Sequence, residues 1–213
     1  MAVDRPAPGE ELSAGPPSEP RQAATVILLR GGSAAIEVLL VKRNPAQRFM
    51  GGAWVFPGGA VDLHEGAGDL AHRLAGVREV AEEASVALPD PAALIRFSRW
   101  ITPPEVRIRF DTHFFLAAIP DGARPRADGH ECVDLGWFTP RGALDAYAAG
   151  AIELVFPTIK HLEQLEPFTS AERLLKWAVG RDVVPVEPRI VLEGEIARVV
   201  LPGEPGYVEA QTG

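Results

Sequence analysis

The chain has 213 residues, enough for one sizeable core, and its 46% hydrophobic and 23% charged content is that of an ordinary globular protein. A formal net charge of -8 argues against nucleic-acid backbone or anionic membrane as the main partner, because both select basic surfaces. The single cysteine, Cys132, leaves no intrachain disulfide, and no apolar run is long enough for a leader core or a bilayer span, so a cytoplasmic protein is expected.

Residues 1–20 are rich in Pro, Gly, Ser and Glu and read as a disordered tail, with order beginning at about Arg21. ATVILLR (24–30) and IEVLLVKR (36–43) read as two strands joined by a glycine turn. A loop with four glycines, NPAQRFMGGAWVFPGGAVD, follows. From Asp69 to about Leu88, Leu70, Leu74, Val77, Ala81 and Ala84 recur at spacings of four and three, which predicts a helix with one buried face. LPDPAAL stops it. FSRWIT (97–102), RIRFDTHFFLAAI (107–119) and CVDLGWFTP (132–140) read as strands. Thr139 then fits an N-cap with Pro140 at the first helical position. PTIKHLEQLEPF (157–168) and SAERLLKWAVG (170–180) read as two more helices, and 189–207 as a hairpin turning at Gly194. This order predicts an α+β or α/β/α layered domain.

REVAEE places Glu79, Glu82 and Glu83 within five residues of the central helix. At about 100° per residue, Glu82 and Glu83 fall to either side of Glu79, on the half opposite Leu70, Leu74, Val77, Val80, Ala81 and Ala84. Like charges at such spacings repel, so helix stability does not ask for this cluster, although Arg78 can bridge to Glu82. Alone it reads as a solvated face. Several carboxylates on a rigid support are also what Mg²⁺ or Mn²⁺ prefers.

Upstream stands FPGGAVDLHE, whose Gly58 and Gly59 let backbone approach a ligand closely. Gly59 to Val86 reads G-x5-E-x12-R-E-V-x-E-E-x-S-V. This resembles the Nudix box, G-x5-E-x7-R-E-U-x-E-E-x-G-U, with U aliphatic. Two features depart from it. The spacer is 12 residues rather than 7, and Ser85 replaces the last glycine, where a small change at the helix end is expected. Glu65 matches the first box glutamate in its spacing from Gly59, and Asp62 and Glu65 are both candidates to support the metal ligands.

The resemblance implies a Nudix fold: an α/β/α sandwich with a mixed sheet and the loop–helix motif over 21–180, extended by C-terminal helices and a β-hairpin, the last in 181–213. It implies a divalent-metal pyrophosphohydrolase acting on a nucleoside diphosphate linked to another moiety. By the same resemblance the Gly59 carbonyl, Glu79, Glu82 and Glu83 are the metal ligands and Arg78 orients a glutamate. Glu79 and Glu131 are the candidate general bases. Arg43, Arg48 and Arg109, with Gly58, are the candidate phosphate contacts, as bidentate donors in the case of the arginines. Such proteins often pair, so a homodimer is an expectation of the resemblance alone.

The long spacer, RFMGGAWVFPGG and SRWITPPEVRIRFDTHFFLAA are similar to the branch of peroxisomal-type acyl-coenzyme A diphosphatases. RxxxGxxxFPGG (48–59) matches part of a coenzyme A-associated motif whose Thr/Ser-rich half is replaced here by LLVKRNPAQ. Coenzyme A or an acyl-coenzyme A is therefore the first substrate expected, with ADP-ribose, NADH or a nucleoside triphosphate as alternatives. A non-catalytic Nudix-fold binding module is the rival from another class, disfavoured because REVAEE is whole. His64 and His113 lack a His or Cys partner at metal spacing and read as structural, and Trp54 and Trp137 read as core aromatics.

Overall fold

Alternating β-branched and leucine-rich runs build the centre of the molecule, as their pattern predicts. The computed structural model describes residues 11–13, 15–32, 35–193 and 196–208. The strands are β1 (Arg21–Arg30), β2 (Glu37–Arg43), β3 (Trp54–Val55), β4 (Gly58–Ala60), β5 (Ile95–Ile101), β6 (Phe110–Ala118), β7 (Cys132–Phe138) and β8 (Pro185–Val186). A separate hairpin is made by β9 (Arg189–Glu193) and β10 (Ile196–Val200). The helices are α1 (Asp69–Ala84), α2 (Pro140–Ala148), α3 (Phe156–Leu165) and α4 (Ala171–Ala178).

The main sheet runs β3-β2-β1-β6-β5-β8, with β4 paired to β1 and β7 to β2. It is mixed: β1 and β6 pair in parallel from Arg21↔Phe110 to Leu29↔Ala118, whereas β5 and β6 are antiparallel. Side chains alternate faces along each strand. Ala24, Val26, Leu28 and Phe115 join Ala75, Val80 and Ala84 of α1 in one core. Ile27, Leu29, Phe114 and Leu116 join Leu162, Leu165 and Leu174 in the other. The sheet therefore lies between α1 and α2–α4, the α/β/α sandwich of the α+β class that was expected. The Thr139 hydroxyl accepts from Gly142 N at 3.0 Å and caps α2, as its place before Pro140 predicts.

The buried face of α1 differs from the sequence expectation. Leu70 is 61% exposed, while Ala71, His72, Ala75, Gly76, Val80, Glu83 and Ala84 are buried. The reason is the close approach of α1 to β1. A Cβ on Gly76 would stand 2.9 Å from Val26 Cγ2, so at the point of closest approach to the sheet there is no room for a side chain. Leu70 and Ala81 turn outward, Leu74 and Val77 are half-buried, and Glu83 lies within the buried stripe rather than on a wet face.

Residues 1–10 of the expected tail lie outside the described residues, as does the hairpin turn at Gly194. Order begins before Arg21: Leu12 forms a bridge to Val106, and Glu11 pairs with Arg48 and Arg107, each at 2.8 Å. No helix among the described residues is long and apolar enough to cross a membrane.

Candidate active site

The site is assembled where the β3–β4 turn meets the C-terminal half of α1. Backbone, not side chain, fills this meeting point. A Cβ on Gly59 would fall on the Glu79 carboxylate, and one on Gly58 would collide with the backbone of Ala24 and Thr25. The glycine pair lets β4 lie against β1 and leaves the Glu79 oxygens against bare main chain.

Arg78 organises the acidic residues around it. Its Nη1 donates to Glu79 Oε1 at 2.7 Å and to Glu82 Oε2 at 3.0 Å. Its Nε donates to Glu65 Oε1 at 3.0 Å and its Nη2 to the Ala60 carbonyl at 2.9 Å. Burial disfavours the guanidinium charge, but these carboxylates outweigh it and hold the cation more firmly than usual. Glu65 also accepts from Asp62 N at 2.7 Å, which closes the loop. Its match to the first box glutamate is thereby given a part: it ties the loop to Arg78. Of the spacer, 66–68 form a turn in which Gly66 and Gly68 have φ of 84° and 78°, and the remainder lengthens α1. Spacer residues 69–77 form the first part of α1, ahead of Arg78.

Ser85, in place of the box glycine, has φ 55° and ψ 33°, the left-handed conformation that closes a helix. Ser85 N donates to Ala81 O at 3.1 Å and Val86 N to Val80 O at 3.3 Å. The helix end expected from a glycine is kept, and the carboxylates with it.

The three glutamates have unlike surroundings. Glu82 has a side chain 59% exposed, whereas those of Glu79 and Glu83 are 12% and 3% exposed. Burial raises the Glu79 pKa, offset in part by Arg78, while Glu82 and Glu131 push it further up. Glu83 is raised to about 7 by burial, against the Gly58 N–H, with the Glu79 charge adding to the rise. Gly58 N donates to Glu83 Oε2 at 3.0 Å and the Cys132 thiol to Oε1 at 3.4 Å, with Arg43 Nη1 3.8 Å away. Burial, and then the Glu83 charge, push the Cys132 thiol well above its usual range, so it is a neutral donor and not a nucleophile.

Glu79, Gly58, Gly59, Arg43 and Glu131 line one cavity of about 420 Å³. Glu131 reaches it from the loop before β7. Asp128 fastens that loop by accepting from the backbone N–H groups of His130, Glu131 and Cys132 at 2.7–3.2 Å. Two expected phosphate contacts are not there. Arg48 is exposed at the surface and pairs with Glu11. Arg109 is buried and spent on the Thr102 and Ser18 carbonyls and on Glu187, at 2.8–3.0 Å. Its place at the entry to β6, facing carbonyls left over by the loop, makes it a structural tie. His113 stacks on His72 at 3.9 Å, and Trp54 packs edge-on to Phe138, as structural roles require. Sequence reading missed Cys132, Asp128 and the cavity aromatics Phe49, Trp100 and Phe156. An Asp four residues before strand β7 was the one legible signal among these.

Among the described residues no three His, Cys, Asp or Glu side chains are gathered as a finished cation site. Arg78 instead holds oxygens of Glu79 and Glu82. The donors at this corner are nonetheless all oxygen, two of the carboxylates are buried with incomplete charge compensation, and a glycine leaves space against one. Such a set suits a hard divalent cation.

A mixed sheet between helices, with a loop–helix element bringing glycines and carboxylates to a cavity wall, defines a class of pyrophosphate-bond hydrolases. The family model described as NUDIX domain matches residues 19–157, and the chain belongs to that family of hydrolases, which act on small nucleotide-type substrates and use divalent metal ions. The human acyl-coenzyme A diphosphatase NUDT19 is similar at 24% identity, over 91% of this chain and 82% of its own. The crystal structure of a NUDIX hydrolase from Alicyclobacillus acidocaldarius is similar at 28% identity with a TM-score of 0.66, covering 75% of this chain and 96% of that one. The NUDIX domain of Shewanella oneidensis NrtR, solved with ADP ribose, shares the fold at 20% identity with a TM-score of 0.55, over 74% and 90% of the two chains.

Proposed function

We propose that the chain cleaves the pyrophosphate of coenzyme A or an acyl-coenzyme A, the nucleoside diphosphate being linked to a pantetheine arm. Support for the chemistry comes from one observation above all. Glu79, mostly buried, lines the cavity beside Gly58 and Gly59, and the buried Glu83 stands behind that wall, held by the Gly58 N–H. Support for the substrate comes from the relative named acyl-coenzyme A diphosphatase. The domain carrying this activity spans 21–180, with 181–213 as its extension.

Glu79, Glu82, Glu83 and the Gly59 carbonyl would hold Mg²⁺ or Mn²⁺. The bound cation supplies neutralisation of the phosphate oxygens and a lowered pKa for the attacking water. The chain's own residues do the rest by positioning. Arg78 aims Glu79 and Glu82 from one guanidinium. Gly58 N–H and the Cys132 thiol orient Glu83. Arg43 donates from Nε to the Phe49 carbonyl at 3.4 Å, stands 3.8 Å from Glu83 through Nη1, and lines the cavity, where it would meet a phosphate oxygen. Glu131 and Glu79, which both line the cavity, would take the proton of the attacking water as general bases.

The test is a substrate panel with Mg²⁺ or Mn²⁺, read by mass spectrometry and repeated with Glu82→Gln. Coenzyme A or its esters should be cut fastest, and the variant should lose hydrolysis while keeping its circular dichroism. Faster cleavage of ADP-ribose, NADH or a nucleoside triphosphate would replace the substrate, and full activity of the variant would sink the site.

A further inference from the structure

The hairpin β9–β10 stands apart from the main sheet. A two-stranded hairpin is marginal by itself, so something must hold it in place. Three ties do so. β8, just before it, pairs with β5 at Trp100↔Val186. Arg109 Nη2 donates to Glu187 Oε1, and the Tyr207 hydroxyl to the Glu187 carbonyl, both at 2.8 Å. A segment remote from the family motif is thus pinned from both flanks.

What the pinning presents is a cross-strand pair. Ile190 and Val199 are direct partners in the antiparallel register, so their side chains leave the same face. Both line the cavity that Glu79 lines, together with Pro188. The segment to which the hairpin is tied adds Ile101, Val106 and Phe110 to the same wall. The hydroxyl oxygen of Thr102, in that segment, accepts from Phe110 N at 3.0 Å.

One cavity therefore joins two chemistries. Arg43 and Arg21 suit a phosphate group, and Glu79 and Glu131 beside the glycine pair suit the divalent cation that would neutralise it. The hairpin wall is aliphatic, and an aliphatic wall recognises neither ribose nor a phosphate, because burying their polar atoms there would leave them unpaired. We propose that Ile190 and Val199 bind an aliphatic chain carried by the substrate, and that this hairpin sets which chain lengths are cleaved. The assignment deepens the acyl-coenzyme A reading and rests on it for the identity of the polar end. Arg109 and Glu187 act as positioning residues for the wall.

The experiment uses the full chain with Mg²⁺ and compares wild type with Val199→Asp and the milder Ile190→Ala. kcat/KM is measured for coenzyme A and for its acetyl, hexanoyl and decanoyl esters. The ratio of decanoyl ester to coenzyme A should fall about tenfold in Val199→Asp and severalfold in Ile190→Ala. A ratio unmoved in both folded variants overturns the proposal. In parallel, decanoate binding is followed through tryptophan fluorescence, since Trp100 lines the cavity. Wild type should bind decanoate and both variants should bind it at least about fivefold more weakly. Equal binding by all three, or none by wild type, also overturns it. Decanoate binding that weakens as stated, with no hydrolysis of any coenzyme A compound, overturns the substrate reading instead and leaves the wall standing.

Discussion

The backbone N–H of Gly58 donates to the buried carboxylate of Glu83 at 3.0 Å, joining the glycine turn to the acidic helix across 25 residues of chain. The bond explains how the two halves of the motif act together: β4 orients a helix side chain that has no charged partner closer than 3.8 Å among the ion pairs of the site. Glu83→Gln keeps an acceptor for Gly58 and removes the charge. Hydrolysis should fall at least about 100-fold with the fold intact, checked by single-turnover assay and circular dichroism.

Gly59→Ala tests the close approach from the other side. Its Cβ would displace the Glu79 carboxylate, so the side chain must swing away from Arg78. We expect kcat/KM to drop by about 10–100-fold and the dependence on Mg²⁺ concentration to move upward.

Arg48 and Arg109 part company in their consequences. Arg48→Ala removes an exposed pair with Glu11 and should leave kcat/KM within about twofold and the urea midpoint unmoved. Arg109→Met strips two carbonyls and a partly exposed glutamate of their donor, and should cost about 2 kcal/mol in urea denaturation.

Ser85→Gly should stabilise the chain. A serine at φ 55° carries left-handed backbone strain that glycine avoids, though glycine gives back some chain entropy on unfolding. The net gain should be about 0.5–1 kcal/mol, seen as a Tm rise of about 2 °C.

His161 should make stability fall with acid. It is fully buried among Phe56, Phe97, Trp100 and Phe114, with Ser98 Oγ 2.5 Å from Nε2, and burial lowers its pKa to about 3. Between about 6.5 and 3 the unfolded chain binds this proton and the folded chain does not, so stability is complete above that window and declines as pH falls through it. From pH 7 to 5.5 the loss from this group is about 1 kcal/mol. His161→Phe should show a smaller decline by that amount in parallel urea titrations.

Particular residues show how far the sequence could be read. The strands around Leu28, Leu40 and Phe115 were legible because alternation and β-branching are local signals. The cap at Thr139 was legible for the same reason, since its partner lies three residues away. The face of α1 was not. Leu70 and Leu74 outweighed alanine and glycine in any hydrophobic count, yet it is Gly76 that meets Val26 where helix and sheet come closest. Nor could periodicity separate Glu83 from Glu82, one buried and one wet.

The sequence by itself determined the layered fold, the family through FPGG and REVAEE, and the acidic cluster on α1, because each is encoded in short-range spacing. Only the tertiary structure decided which charges face the cavity. Arg43 and Arg109 are chemically identical side chains, and their roles part because Arg109 meets Ser18 and Glu187, 91 and 78 residues away, while Arg43 meets Glu83. The hairpin's place beside that cavity was likewise settled by pairing of β8 with β5, a contact across more than eighty residues that no local pattern records.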